Sequence, residues 1–317
     1  MKAVVVDRFG SADVMRVDEV EQPVLKPGQV KVKNFYSTVN PVDWKIRRGD
    51  LKLMTGFKPP KKLGSDFAGE VIEVAPDVDD FRVGQRVYGF VDPLTGGGYG
   101  EQLCVAAKRI ATIPESMSYE HAATIPLCAQ TAYQSLVGLG AIKKGDTVVI
   151  NGCSGGVGVM ALQIAKAFGA NVIGVCSERN SELAKSLGAD VVIDYNQDPG
   201  LSSLKNINIF FDVVANKSFL AVRNSLSSNG CYITTIPGPT SALSFAATYF
   251  FCSKKSYIVL ASSKTQDLQS INKLIVKNDL KAHISQSYKL SDIVEAHLSA
   301  ETSRTVGKIS INIGTFI

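Results

Sequence analysis

Gly152, Ser154, Gly155, Gly156, Val157 and Gly158 form a turn between a β-branched run, Thr147–Ile150, and an apolar stripe of Val159, Leu162, Ala165 and Phe168. The stripe has helical spacing. Glycines in such a turn let a backbone approach a pyrophosphate, and the helix behind it aims a positive N-terminus at the phosphate charge. Gly169 is placed to end that helix, and Asn171–Cys176 reads as the next strand. Strand, turn, helix and strand together make a dinucleotide-binding fingerprint. The plainer alternative is an αβ turn whose glycines serve only to turn. A mononucleotide P-loop fits poorly, because it requires Lys-Ser/Thr after its last glycine, where this chain has Val159-Met160.

The end of the second strand bears on which dinucleotide is bound. An NAD site usually places an acid there for the ribose 2′-hydroxyl. This chain reads Cys176-Ser177-Glu178-Arg179-Asn180. Glu178 stands about twenty residues past Gly158, a spacing that allows NAD. It lies, however, beyond the last apolar strand residue and beside Arg179. Ser177, Arg179 and Asn180 suit a 2′-phosphate, because a guanidinium forks onto phosphate oxygens. Tyr195, after the third strand, adds a hydroxyl. NADPH is thus favoured over NADH, with a solvated turn as the plainer reading. Cys176, and Ile236 and Pro237 after a later strand, are expected to line the cofactor.

These residues need a scaffold, and its outline is visible in the chain's texture. At 317 residues two domains are expected, since single cores seldom outgrow about 250–300 residues. The first 110 or so residues alternate short β-rich pieces with Pro and Gly turns, as in a partly barrel-like β domain. From Ser118 the pattern turns helical. It then alternates strands (147–150, 172–176, 191–194, 209–214, 231–235, 257–260) with helices (156–168, 181–187, 218–225, 241–251). Such alternation argues an α/β fold, a doubly wound parallel sheet with helices on both faces. The tail, with helical patterns at 266–276 and 291–300 and a last strand at 308–313, is expected to complete the N-terminal domain. The boundaries are drawn at 1–117 plus 262–317, and at 118–261. The apolar run Ala242–Phe251 is either core or a subunit contact.

Composition excludes several classes of function. Apolar residues make up 45% and charged residues 20%, with a net charge of +5 spread along the chain, which is ordinary for a globular protein. Its basic clusters read as solvated faces, so no nucleic-acid partner is expected. No apolar run reaches membrane-spanning length, and the opening MKAVVVDRFG is too short in apolar residues for a signal peptide. A cytoplasmic location without membrane contact is expected. The six cysteines, 104, 128, 153, 176, 231 and 252, form no C-x-x-C. They read as reduced, mostly buried small residues. Cys153, inside the glycine turn, has redox sensitivity as its alternative.

Taken in order, several segments resemble the zinc-free medium-chain dehydrogenase/reductase superfamily, in particular its quinone oxidoreductase (zeta-crystallin-like) and enone oxidoreductase branches. They are Asn40-Pro41-Val42-Asp43-Trp44-Lys45, Leu63–Val71, Phe81–Val87, Gly96–Glu101, Gln130–Tyr133, Asn151–Gly158, Leu187–Asp190 and Gly307-Lys308. The resemblance implies a GroES-like domain joined to a Rossmann domain, with the active site in the cleft between them, and a homodimer. Zinc alcohol dehydrogenases of the superfamily carry Cys where this chain has Asn40, and His-Glu where it has Ser65-Asp66. A catalytic zinc takes three N, S or carboxylate ligands, and Asp43 with Asp66 does not make such a set. No metal is expected. His121, His283 and His297 lie outside these segments and read as ordinary surface or core residues.

Without a Lewis acid, an acceptor that is already electrophilic is favoured: a quinone, or the C=C of an α,β-unsaturated carbonyl, reduced by NADPH. In the resemblance Lys45 lies near the nicotinamide and the substrate oxygen, so it is the candidate donor to that oxygen, with a surface lysine after a turn as the alternative. Tyr99 lines the pocket or donates a proton, or simply packs. Asn40 and Asp43 organise a polar network or cap a helix. Asp66 serves a buried ion pair. Thr131 is the candidate for the nicotinamide carboxamide or packs at a helix end, and Trp44 forms an apolar wall for a planar acceptor or is core. The alternative to an enzyme is an NADPH-binding structural or scaffold protein of the same fold.

Overall fold

The computed structural model describes residues 1–59 and 62–314. The N-terminal part contributes strands β1 (Lys2–Val6), β2 (Met15–Glu19), β3 (Gln29–Val39), β4 (Asp66–Val74), β5 (Arg86–Phe90), β6 (Gln102–Ala106) and β7 (Ile110–Thr112). The middle contributes β8 (Thr147–Asn151), β9 (Asn171–Cys176), β10 (Val191–Asp194), β11 (Ile207–Asp212), β12 (Leu226–Thr234) and β13 (Lys255–Ile258). The tail adds β14 (Ile284–Lys289) and β15 (Lys308–Asn312). The chain divides into two compact units. One is 1–127 with 262–273 and 282–317, and the other is 128–261 with 274–281.

The first unit is built on a seven-stranded sheet, ordered β14-β15-β3-β4-β5-β7 with β6 also paired to β3. All its pairs are antiparallel except β14 with β15. Val30, Val32, Phe67, Val71, Val87, Leu103 and Ile110 are buried against one another. A second cluster joins Val4, Val39, Ile46 and Tyr99 to Ile293, Ile309 and Ile311, so the tail is part of this unit's core. β2 and β14 had no clear strand signal, because four of the five β2 residues face solvent and β14 reads Ile-Ser-Gln-Ser-Tyr-Lys.

The second unit is a doubly wound sheet of six strands, all parallel, in the order β10-β9-β8-β11-β12-β13. The chain order reverses direction beside β8, the switch point where such sheets bind ligands at the carboxyl ends of their strands. The strands read as continuous apolar runs because helices cover both faces. Val149, Val175, Phe210 and Tyr232 are among the buried residues of one such face. Between β11 and β12 the helix spans only Phe219–Val222, shorter than the pattern 218–225 suggests. Ser225 is drawn out of it, since its carbonyl accepts from Ile207 N–H at 2.9 Å where β11 begins to pair with β12. Among the described residues, no helix is long and apolar enough to cross a membrane.

Candidate functional site

The glycine turn lies at the carboxyl end of β8 and leads into the helix Gly156–Ala167. Its tightness is set by two glycines. Gly152 has φ +86°, and a Cβ there would meet Val214 Cγ2 at 2.4 Å. A Cβ on Gly158 would stand 2.2 Å from the Gly152 carbonyl oxygen. Gly155, the helix N-cap, is different, because a Cβ there would meet only the Gly152 oxygen, at 3.7 Å. The chain itself therefore does not demand glycine at 155. Bare backbone there leaves room for a ligand beside the first-turn N–H groups, which a helix leaves unpartnered. The turn fits the pyrophosphate of a dinucleotide.

The turn is pinned to β9. Gly152 and Cys153 N–H both donate to the Val175 carbonyl, at 3.0 and 3.1 Å. The Asn180 amide donates to the hydroxyls of Ser154 at 3.1 Å and Ser177 at 3.3 Å. Tyr195 N–H donates to the Cys176 carbonyl at 3.2 Å. Turn, second-strand end and third-strand end thus converge on one edge. Glu178 and Arg179 are exposed there, and Asp194 is engaged by the backbone and side chain of Asn196. Ile236 and Pro237 follow β12 and are exposed. Thr131 is buried in the helix Pro126–Tyr133, and its carbonyl accepts from the Ser135 hydroxyl at 2.7 Å. A cluster that sequence reading missed frames the turn from the other side. The Asn151 amide donates to Asp212 at 2.7 Å and to Asn216 at 2.8 Å. Asp212 also accepts from Lys217 N–H and the Tyr232 hydroxyl, at 2.8 and 3.1 Å.

In the other unit a buried polar network surrounds the start of the helix Pro41–Arg48. Proline opens that helix, and Gly49 closes it in the left-handed region. Asp43, Ile46 and Arg47 share its inward face, as residues three and four apart must. Asp43 accepts from Asn40 N–H at 2.9 Å, the Ser65 hydroxyl at 2.6 Å and the Tyr99 hydroxyl at 3.4 Å. Burial lifts its carboxyl to about 6, while the bonds from Ser65 and Asn40 pull it back down.

Asp66, wholly buried at the start of β4, accepts from the Leu127 N–H at 2.9 Å and the Thr38 hydroxyl at 2.6 Å. The Asn40 amide at 2.9 Å and the Lys308 ammonium at 3.3 Å complete its shell. Lys308 also donates to Asn40 Oδ1 at 2.5 Å and the Val39 carbonyl at 3.4 Å. The expected ion pair of Asp66 is present, and Lys308 is its partner.

A third line of bonds runs through Tyr99. Its hydroxyl lies 3.1 Å from His297 Nε2, and His297 Nδ1 lies 3.3 Å from Arg47 Nη1. A guanidinium only donates. Nδ1 is therefore the acceptor, and Nε2 carries the hydrogen toward Tyr99. The Tyr99 proton then turns to the Thr38 carbonyl at 3.2 Å and to Asp43. Burial, aided by Arg47, lowers His297 to about 3, and burial first and Asp43 second raise Tyr99. Arg47 also pairs with Glu301. His297 is thus a buried member of the network rather than an ordinary core residue. Nothing in its sequence spacing marked it. Lys45 stands outside these bonds, half-buried, with its ammonium 5.6 Å above the Trp44 ring. Burial lowers its pKa.

These donors do not fit a zinc ion. Asn40 turns its oxygen to an ammonium, Ser65 is committed to Asp43, and Asp66 faces Lys308. Among the described residues no three His, Cys, Asp or Glu side chains are placed to hold a metal.

Residues 26–115 match the family model of the alcohol dehydrogenase GroES-like domain, and residues 187–311 that of the zinc-binding dehydrogenases. The chain is similar to the chloroplast envelope quinone oxidoreductase homolog of Arabidopsis thaliana, at 31% identity over 95% of this chain and 94% of that protein. It is 30% identical to the 2-methylene-furan-3-one reductase of Solanum lycopersicum, over 98% of this chain and 79% of that one. Among solved structures, the quinone oxidoreductase from Coxiella burnetii superposes with a TM-score of 0.90 at 30% identity, covering 99% of each chain.

Proposed function

We propose that this chain, which belongs to the quinone oxidoreductase branch of the medium-chain dehydrogenase/reductase superfamily, is an NADPH-dependent reductase of an electrophilic acceptor, a quinone or an α,β-unsaturated carbonyl, and works without a metal. The observation that carries the reading is the pairing of Asp66 and Asn40 with the Lys308 ammonium, where a metal-dependent relative would need ligands. With no Lewis acid to polarise a simple carbonyl, the acceptor must bring its own electrophilicity.

NADPH, when bound, supplies a hydride. The residues of the chain do the rest. Gly152–Gly158 and the N-terminus of the helix Gly156–Ala167 hold the pyrophosphate. Ser177, Arg179, Asn180 and Tyr195 hold the 2′-phosphate, and Thr131, Ile236 and Pro237 help to orient the cofactor. Lys45 donates a hydrogen bond to the acceptor oxygen as it gains negative charge. Its lowered pKa eases release of a proton to that oxygen. A quinone takes one hydride and one proton and leaves as the hydroquinone. The network of Asn40, Asp43 and Tyr99 holds Lys45's helix in place.

The test is oxidation of NADPH, followed by nicotinamide absorbance, across a panel of quinones and enones. Turnover should be acceptor-dependent and insensitive to chelators. Tight NADPH binding with no turnover on any acceptor would leave a binding protein instead. Lys45→Met should lower kcat more than it raises the NADPH Kd, and unchanged turnover would remove Lys45 from the reaction. We also propose a homodimer in the cytoplasm. Leu243, Phe245 and Tyr249 are exposed on the helix Pro239–Phe251, which packs on edge strand β13. Light scattering should give twice the 34.0 kDa chain mass.

A further inference from the structure

We propose that Cys153 and Cys176 are an oxidisable dithiol built into the dinucleotide turn, and that their disulfide form binds NADPH more weakly. The proposal rests on the dinucleotide reading above. Cys153 follows Gly152 in the turn, and Cys176 ends β9, the neighbour of β8. Cys153 N–H donates to the Val175 carbonyl at 3.1 Å, which sets the turn directly over the strand end. Gly174 and Cys176 point to the same face of β9, as residues two apart on a strand do. The Cys153 sulfur occupies the space above Gly174, 2.9 Å from where a Cβ on that glycine would sit. A larger residue at 174 would displace it. There it lies beside the strand face that also carries Cys176, and the two thiols perturb each other's acidity. Both side chains are buried.

That proximity divides the labour between the two sulfurs. Cys153 lowers the pKa of Cys176, while Cys176 and burial raise that of Cys153. Cys176 is therefore the better nucleophile. With hydrogen peroxide as oxidant, the Cys176 thiolate attacks one peroxide oxygen, the O–O bond breaks, and hydroxide leaves. The Cys176 sulfenic acid so formed is attacked by the Cys153 sulfur. An S–S bond replaces the S–O bond, and hydroxide leaves with the Cys153 proton as water. Two thiols and one peroxide give one disulfide and two waters, counting the proton first lost from Cys176.

The consequence for the turn is steric. A disulfide holds its sulfurs about 2.05 Å apart, far closer than two sulfurs that are not bonded. Turn and strand must be drawn together. The turn has no slack to absorb this, because a Cβ on Gly158 would already stand 2.6 Å from Cys153 Cα. The N–H groups of the turn and of the helix start shift away from the position they hold for a phosphate.

The experiment treats the full-length, NADPH-free protein with hydrogen peroxide, blocks free thiols, and digests with trypsin without reduction. The peptides 145–166 and 167–179, which carry Cys153 and Cys176, are expected as one cross-linked species. The NADPH Kd of the oxidised protein should rise by about fivefold or more, the low end of ordinary coupling between sites. Dithiothreitol should restore it. Cys153→Ser and Cys176→Ser, each compared with its own reduced form, should show no such change. An uncrosslinked pair, or a cross-linked pair with a smaller loss of affinity, overturns the proposal and leaves the dinucleotide reading intact. If the reduced protein binds neither NADPH nor NADH, the dinucleotide reading fails and this proposal with it.

Discussion

Replacing Lys308 by methionine removes the cation from the Asp66 cluster while keeping an unbranched apolar stem of similar length. Lys308 is 4% exposed and Asp66 is 0% exposed, so water cannot take the place of the lost ammonium. Three donors stay on Asp66, from Thr38, Asn40 and Leu127, but none carries charge. Asn40 Oδ1 and the Val39 carbonyl lose their Lys308 donor as well. Removing one partner of a buried pair costs about 3–5 kcal/mol, and the surviving donors argue for the lower part of that range. The double variant Asp66→Asn/Lys308→Met removes both charges and keeps an acceptor for Thr38. It should recover at least half of the loss. Urea unfolding followed by the fluorescence of Trp44 reads the unit that holds the cluster, because it is the chain's one tryptophan. A double-mutant cycle then isolates the pair. A single-variant cost below about 1 kcal/mol, the range of an exposed pair, would refute the reasoning. So would a double variant as unstable as the sum of its parts.

His297 and Asp43 make stability depend on pH in opposite senses. The folded His297 value near 3 lies below the ordinary value of about 6.5. Its contribution is complete above about 6.5 and is lost as pH falls toward 3, at about 1.4 kcal/mol per unit. Asp43, raised to about 6, contributes most at low pH and loses that contribution as pH rises from about 4 to 6. His297→Gln keeps an acceptor for Arg47 and a donor for Tyr99, so it should flatten the acid limb of stability in urea titrations. An unchanged limb would mean that the imidazole is not buried neutral. Gly158→Ala should cost both stability and NADPH affinity, since its Cβ cannot clear the Gly152 oxygen. Gly155→Ala should cost only affinity, and calorimetry with thermal melting separates the two. Equal behaviour of both variants would contradict the ligand-facing role of Gly155. Arg179→Gln should weaken NADPH by about 10–100-fold, as loss of a charged hydrogen bond implies, and leave NADH unchanged. Equal losses for the two dinucleotides would show that Arg179 does not touch the 2′-phosphate.

The doubly wound unit was open to reading because its signals are local. A continuous β-branched run, a glycine turn and a helix of 3.6-residue period lie within Thr147–Ala167. β2 and β14 were not visible, since exposed polar strands carry no apolar alternation. The helix after β11 read too long because its end is set by a partner, Ile207, and not by its own residues. The Asn151–Asp212–Asn216 cluster was hidden for the same reason, since Asn151 and Asp212 close the observed strands β8 and β11 but not the expected ones, 147–150 and 209–214.

The chain by itself determined the order of elements, the alternation that makes a parallel sheet, and the glycine turn at Gly152–Gly158. Through its resemblance to the superfamily, it also put Asn40, Ser65 and Asp66 where zinc alcohol dehydrogenases carry ligands. Tertiary structure decided who stands against whom. Lys308 reaches Asp66 across 242 positions, and Arg47 reaches His297 across 250. Such contacts depend on the register of β15 on β3 and on which helix faces turn inward. The same is true within the turn, where Cys153 and Cys176 look unrelated along the chain and meet only because β8 and β9 pair. Backbone periodicity is dictated by near neighbours, whereas the charge and proton state of a buried side chain is dictated by whatever the fold brings to it.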